Sequence, residues 1–272
     1  MSRSVDFLSR ASTSSVAGPS RSNTTLPSSC SVLITDTLAS PSLFLLTSFI
    51  SRSLRKTTTP TDPKGKGKAK VVLVGVREVE QEYTNILKKQ SVQLSTEKSQ
   101  GKFELIDGSD GDLQQIYNSV STSLSTLLEE DETTEGTLVI IDDLSALSWM
   151  GNDLKKIVKF NLALKKLCLA TRSTLVSVIH SDSISPHPII QDESDQYVFR
   201  KTLQTSDYWF ELKSLVSQAR GELSIHPGPA LQSTSRTGKD ERLRTRFGKE
   251  ALEYTLEENG AVFEVKGLGR FI

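Results

Sequence analysis

Two patterns of apolar and polar positions alternate between residues 31 and 180. Short, nearly continuous apolar runs are typical of strands covered on both faces. Between them lie stretches whose apolar residues recur every three or four positions, the spacing of an amphipathic helix. These patterns predict strands at 32–34, 71–74, 103–106, 138–141 and 174–179, and helices at 40–54, 79–87, 112–128 and 151–172. The alternation predicts a mostly parallel sheet with helices on both faces.

The pattern changes after residue 180. A loop with Pro186 and Pro188 is followed only by strand-like segments, at 208–215, at 222–226 and on both sides of Asn259-Gly260. An Asn-Gly pair between alternating runs is a strong signal of a β-hairpin. The sequence therefore predicts an α/β three-layer sandwich whose mostly parallel central sheet has an antiparallel C-terminal edge.

Two segments lie outside this pattern. Residues 1–30 are rich in Ser and Thr and contain three arginines against one acid, which predicts a disordered tail. The same composition is found in mitochondrial transit peptides, so mitochondrial import is the alternative interpretation. Residues 57–70 combine prolines with Lys-Gly pairs and predict a basic flexible insertion in a single domain that spans 31–272.

The charges of the whole chain balance. Thirty-three basic and 33 acidic residues give zero net charge, which excludes binding of nucleic acid through bulk positive charge. Any such contact requires a local patch. The candidate residues are Lys239, Arg242, Arg244 and Arg246, because arginine pairs bidentately with phosphate. No apolar run approaches the length of a membrane helix, and the two cysteines give no disulfide framework.

The first predicted strand leads into a helix, and a later apolar strand ends in Asp, which is the layout of P-loop ATPases. Those proteins place a G-x-x-x-x-G-K-[ST] loop after the first strand. Here residues 35–42 read TDTLASPS, without glycine or lysine. Asp36 and the Leu38 side chain obstruct an anion, and Pro41 removes an amide. We expect no phosphate cradle, no catalytic residue, no metal and no cofactor.

Asp142 and Asp143 follow the fourth apolar strand, where a P-loop ATPase holds Mg²⁺. They are either a weak Walker-B-like pair or strand-terminal residues that cap the next turn. His180 ends another strand and is either a nucleotide sensor or base, or a structural histidine. A divergent ATPase that uses Asp142 or Asp143 for Mg²⁺ is the alternative function.

Four fragments, in this order and spacing, resemble the sixth subunit family of the Elongator complex, a RecA-like family without a phosphate loop. They are VLITDTLASPSLFLL at 32–46, LVIIDDLSAL at 138–147, VIHSD at 178–182 and GELSIHPGP at 221–229. The Ser-rich tail and the Lys-Gly insertion depart from the family.

The resemblance implies a RecA-like fold and a non-catalytic role. It implies assembly with two paralogous RecA-like Elongator subunits into a hetero-hexameric ring with two copies of each. It also implies that this ring works with the remaining Elongator subunits, binds tRNA and supports wobble-uridine modification. The expected location is the cytoplasm, and also the nucleus, without a membrane partner.

Overall fold

The computed structural model describes residues 26, 29–56, 70–77, 80–130, 137–182, 193–215, 219–233, 251–258 and 260–265. The strands are β1 (Ser31–Asp36), β2 (Val71–Gly75), β3 (Phe103–Asp107), β4 (Leu138–Ile141), β5 (Thr174–His180), β6 (Tyr208–Ser214), β7 (Arg220–Pro227), β8 (Leu252–Glu257) and β9 (Gly260–Val265). The helices are α1 (Leu43–Lys56), α2 (Glu80–Lys89), α3 (Leu94–Ser99), α4 (Leu113–Glu130), α5 (Leu144–Trp149), α6 (Leu154–Ala170), α7 (Glu193–Thr205) and α8 (Pro229–Ser233).

All of these strands belong to one sheet, in the order β3-β2-β4-β5-β1-β6-β7-β8-β9. The six strands from β3 to β6 run parallel, and the pairs from β6 to β9 are antiparallel. The predicted β8–β9 hairpin is present, but it closes one residue earlier than Asn259-Gly260 predicts, because Gly260 is the first residue of β9 and lies opposite Glu257. The predicted fold, a mostly parallel sheet with an antiparallel C-terminal edge, is confirmed.

Helices cover both faces of the parallel part, which makes three layers. Successive residues of a strand point to opposite faces, so Val32 and Ile34 pack in one apolar cluster and Leu33 packs in the other. The first cluster includes side chains of α1, α2 and α3, and the second includes side chains of α4, α5, α6 and α7. Because both faces are buried, the central strands are apolar throughout, as their sequences indicate.

Two of the predicted helices begin at an aspartate that caps them. Asp112 Oδ1 accepts hydrogen bonds from the backbone N–H groups of Gln114 and Gln115 at the start of α4. Asp153 Oδ1 accepts from the N–H of Lys156 at the start of α6. Each carboxylate satisfies amides that have no partner inside the helix and also lies at the positive end of its dipole.

The prediction of strands alone after residue 180 is wrong, because α7 and α8 lie in this part of the chain. The buried residues of α7 explain why the sequence pattern did not predict this helix. Asp195, Val198 and Thr202 have the spacing of one helical face and are each 2% exposed, but two of the three are polar. A helix that buries polar side chains gives little apolar periodicity.

Several predictions concern residues that lie outside the described ones: nearly all of the 1–30 tail, residues 57–69 of the basic insertion, and the four candidates Lys239, Arg242, Arg244 and Arg246. Lys70, at the end of the insertion, is buried, and its Nζ lies 2.5 Å from Glu104 Oε2. None of the described helices has the length and apolar character needed to cross a membrane.

Candidate functional site

Charged side chains lie at the carboxyl ends of four neighbouring parallel strands. Asp36 ends β1, His180 ends β5, Asp142 and Asp143 follow β4, and Arg77 follows β2. The carboxyl ends of parallel strands meet at one edge of the sheet, which is where α/β proteins commonly bind ligands. The three aspartates are 0% exposed and His180 is 5% exposed. We call these five residues the edge cluster.

Asp36 connects three elements through its carboxylate. Oδ1 lies 2.5 Å from His180 Nδ1, and Oδ2 accepts a 2.8 Å hydrogen bond from the backbone N–H of Ser42, which directly precedes α1. The backbone oxygen of Asp36 accepts bonds from both N–H and Oγ of Ser181. Helix N-termini bind phosphate in nucleotide-binding folds. Here the N-terminus of α1 binds a carboxylate of the same chain.

Arg77 provides the second cation of the edge cluster. Its Nη2 lies 3.6 Å from Asp36 Oδ2, and its Nη1 lies 3.6 Å from Asp143 Oδ2 and 3.2 Å from His180 Nδ1. Buried carboxylates require compensating charge or hydrogen bonds. With His180 protonated, the carboxylates of Asp36 and Asp143 face two cations, so these charges balance inside the fold.

Asp142 and Asp143 point to different backbone amides. Asp142 Oδ1 accepts from the N–H groups of Val76 (2.7 Å) and Arg77 (3.2 Å), which fixes the chain where it leaves β2. Asp143 Oδ1 accepts from the N–H groups of Ser145 and Ala146 and caps α5. Each carboxylate therefore has at least one oxygen engaged in holding the backbone.

The pKa values of two members of the edge cluster are shifted, for different reasons. The hydrogen bond to Asp36 raises the pKa of His180 above its ordinary value, because it favours the protonated imidazole. Desolvation raises the pKa of Asp143 from 3.8 to about 6, against the opposing effect of Arg77. His180 Nε2 is buried without a hydrogen bond to any described residue, and Asp182 Oδ2 lies 3.8 Å from it.

Most backbone N–H groups of the loop between β1 and α1 donate hydrogen bonds within the chain. Thr37 N–H donates to the Ser40 oxygen and Ser40 N–H to the Thr37 oxygen, which closes a tight turn. Leu38 N–H donates to Asp182 Oδ2 at 2.5 Å, and Ser40 Oγ bonds to the hydroxyl of Tyr254 on β8. Pro41 has no N–H group, and Ser42 uses its own for Asp36. A phosphate cradle consists of free amides, and four of the five N–H groups of residues 37–42 are engaged, those of Thr37, Leu38, Ser40 and Ser42.

The structure thus brings together Asp142, Asp143 and His180, which the sequence singles out, and adds Arg77, which it does not. One signal in the sequence points to Arg77. It comes soon after a buried strand, as Asp142 does, while Asp36 and His180 are the last residues of their strands. Among the described residues, no group of three or more His, Cys, Asp and Glu side chains has an arrangement that could hold a metal ion.

The fold and this edge define a RecA-like α/β protein in which an aspartate of the chain itself lies at the N-terminus of the first helix. Among solved structures, the chain is similar to a KaiC-like protein from the hyperthermophilic archaeon Pyrococcus horikoshii. The TM-score is 0.54 at 12% identity, over 88% of this chain and 91% of the other. At this identity the likeness shows the fold alone, and it confirms the RecA-like prediction.

The family of the chain is identified by comparing its sequence with family models. Residues 24–266 match the model of the family described as Elongator subunit Iki1. The chain belongs to the Elongator subunit Iki1 family. This confirms the prediction of an Elongator subunit and implies association with other subunits of that complex. No curated protein sequence matches the chain.

Proposed function

We propose that the chain is a non-catalytic subunit of a RecA-like ring of Elongator that binds tRNA and supports wobble-uridine modification. In this proposal two paralogous RecA-like subunits complete the hetero-hexamer. Family membership and the RecA-like fold support the assignment to the complex. The non-catalytic role rests on one observation, the use of the β1–α1 loop amides and of the α1 N-terminus by groups of the same chain.

Binding of ATP would have to displace these contacts. A phosphate at the start of α1 would compete with the Asp36 carboxylate for Ser42 N–H, and its negative charge would lie beside two buried carboxylates, those of Asp36 and Asp143. The cations Arg77 and His180 are already paired with those carboxylates. We therefore expect no binding when the isolated chain is titrated with millimolar ATP and Mg²⁺.

That titration also tests the alternative of a divergent ATPase. Measurable ATP binding that is lost in Asp143→Asn or Asp142→Asn, in variants that keep their fold, would replace the non-catalytic proposal by the ATPase. The exposed substitution Asp110→Asn is the matched control, because it removes an equal charge outside the edge cluster.

Exposed apolar side chains beside the edge cluster support a role in assembly. Leu38 is 77% exposed, Trp149 59% and Met150 42%. Leu38 is held by Asp182, and the Trp149 ring packs edge-on against His180 with centroids 6.2 Å apart. Exposed large apolar groups that cluster in one place favour a protein contact. We propose that a neighbouring ring subunit covers this surface.

Co-expression with the two candidate paralogues, followed by mass measurement under native conditions, tests the ring. We expect a complex with two copies of each subunit. Leu38→Gln with Trp149→Gln should weaken it, whereas Leu169→Gln should not, because Leu169 is exposed near the end of α6, which leads into the amino end of β5 at the opposite edge of the sheet. A chain that stays monomeric with both partners present rejects the proposal.

We propose that phosphate contacts with tRNA are made by Lys239, Arg242, Arg244 and Arg246. Changing the three arginines to Ala in the assembled ring should weaken tRNA binding and flatten its salt dependence, because fewer counterions are released. Changing Lys64, Lys66 and Lys68 to Ala removes the same charge from the other basic segment and serves as the control. Unchanged affinity in the arginine variant rejects this part of the proposal.

The sixth-subunit position stays a prediction, since the matching family is described as Iki1. It is tested by asking which two of the three kinds of ring subunit the chain requires as partners. Location in the cytoplasm and nucleus is likewise proposed. Imaging of a tagged chain with and without residues 1–30 separates it from mitochondrial import, which requires those residues and their cleavage.

A further inference from the structure

A groove of about 700 Å³ lies between α4 and α6, on the face of the sheet opposite α1. Its apolar and aromatic lining consists of Leu113, Tyr117, Phe160 and Ala163. At one end Asn152 Nδ2 donates to the Gly111 oxygen at 3.0 Å and to the Leu147 oxygen at 3.1 Å. These bonds tie the loop that precedes α6 to the loop before α4 and to α5, so this end of the groove is held in place by the fold itself.

The side of the groove formed by α6 is basic. This helix contains five lysines and no acid: Lys155, Lys156, Lys159, Lys165 and Lys166. Lys165 pairs with Asp207, with Nζ 3.4 Å from Oδ2. The other four are exposed and make no ion pair with any described residue, and Lys156 and Lys159 line the groove. On the α4 side, the carboxylate of Asp112 is engaged in capping its own helix.

The exposed face of α6 continues this surface with leucines among the lysines. Lys155, Lys159, Leu162, Lys166 and Leu169 are spaced by four, three, four and three residues, which places them on one side of the helix. Leu162 is 36% exposed and Leu169 44%. From Lys159 to Leu169 the face extends about 15 Å along the helix axis. Cationic and apolar groups therefore alternate at the interval of one helical turn.

We propose that this face and groove bind an acidic amphipathic helix of another protein. Its carboxylates pair with Lys156, Lys159 and Lys166, and its apolar side chains contact Leu162 and enter the groove. Because the surface is basic, its charge favours an acidic partner. Because its lysines and leucines alternate once per helical turn, a partner helix with acidic and apolar residues at the same interval can contact both. An RNA backbone would use the lysines alone and leave the leucines and the apolar groove in water. The inference is argued from the side chains of α4 and α6 alone and does not depend on the ring.

The test uses the full chain and a labelled synthetic peptide of about four helical turns, with Leu and Glu alternating at three- and four-residue spacing. Fluorescence anisotropy measures its affinity. Lys156→Glu with Lys159→Glu should weaken binding about tenfold, because two attractive pairs become repulsive. Lys88→Glu with Lys89→Glu makes the same charge change at exposed positions of α2 and should leave the affinity unchanged. Leu162→Ser with Leu169→Ser should also weaken binding.

A second measurement needs no variant. Carbodiimide cross-linking of the peptide to the wild-type chain, followed by peptide mapping, should join its carboxylates to Lys156, Lys159 or Lys166 and not to Lys88 or Lys89. Cross-links spread over all exposed lysines, or equal binding by a peptide of the same composition in scrambled order, overturn the proposal. So does binding of a single-stranded RNA of equal charge to this face when the peptide does not bind.

Discussion

The carboxylate of Asp36 and the imidazole of His180 lie 2.5 Å apart although 144 residues separate them in sequence. They meet because β1 and β5 are parallel neighbours in register, with Asp36 opposite His180. Each residue alone is an ordinary polar residue at the end of a strand. Together with Arg77 and Asp143 they fill the edge of the sheet with compensated charge.

Asp36→Asn should lower the pKa of His180 toward the ordinary value of 6.5, because the hydrogen bond from Nδ1 to the carboxylate is the main cause of its elevation. NMR titration of the His180 ring measures this. Asp182→Asn is the control, since Asp182 is further away and half-exposed, with Oδ2 3.8 Å from Nε2. A His180 that titrates identically in the wild type and in Asp36→Asn contradicts the assignment of this bond.

The same pair links stability to pH. A histidine whose pKa is raised by folding stabilises the fold fully below the unfolded pKa, and this stabilisation is lost as pH rises through the folded pKa. We expect the free energy of unfolding to fall as pH rises above 6.5. In urea unfolding, His180→Gln should remove this fall in the free energy of unfolding. His226→Gln, at a half-exposed position, should retain it.

Asp143 contributes a second pH dependence in a lower range. Its pKa rises from 3.8 in the unfolded chain to about 6, so its protonated form stabilises the fold at low pH and the effect is lost between these two values. The free energy of unfolding should therefore fall by about 3 kcal/mol as pH rises from below 3.8 to above 6. Asp143→Asn should abolish it while keeping the cap of α5, because an amide oxygen also accepts the N–H groups.

The control for this prediction is Asp153→Asn, which changes an exposed cap of α6 in the same way. Its urea unfolding should keep the pH dependence of the wild type in this range. An Asp143→Asn variant that also keeps that dependence would show that another group is responsible.

Asp142→Ala should destabilise the fold by about 3 kcal/mol, because it leaves two amides at the end of β2 without their acceptor in a buried place. Asp112→Ala also removes an acceptor of two amides, but at an exposed helix start, where water replaces it and the expected loss is about 1 kcal/mol. Chemical denaturation of the two variants gives the comparison. Equal losses would contradict a buried structural role for Asp142.

Gly221→Ala should destabilise the fold by several kcal/mol. A Cβ there would lie 2.3 Å from the Tyr254 ring and 2.6 Å from the Lys213 backbone oxygen, and the backbone cannot move aside cheaply. Gly101→Ala is the comparison, because Gly101 has φ +67° and open space around it. The free energy of unfolding of that variant should fall by only about 1 kcal/mol, which is the cost of the left-handed conformation for a residue with a Cβ. Thermal unfolding distinguishes the two; similar losses would contradict tight packing at Gly221.

Local patterns were sufficient for much of the fold and for part of the site. The continuous apolar runs predict β1, β2, β4 and β5, because a strand buried on both faces has few polar residues that would interrupt the run. The helix α7 was missed because Asp195 and Thr202 are buried beside Val198. The contacts within the edge cluster were not predicted for a different reason: they depend on the order of the strands, and no local pattern encodes that β1 lies between β5 and β6.

The contacts of the β1–α1 loop also limit how this protein can change over evolution. Replacing Asp36 by glycine would open the start of α1, but it would leave Arg77 and His180 buried without one of their carboxylates. The turn between Thr37 and Ser40 would still hold its amides, and Pro41 would still lack one. A phosphate-binding loop therefore requires several simultaneous changes, each unfavourable alone. No single substitution therefore frees the backbone amides of this loop.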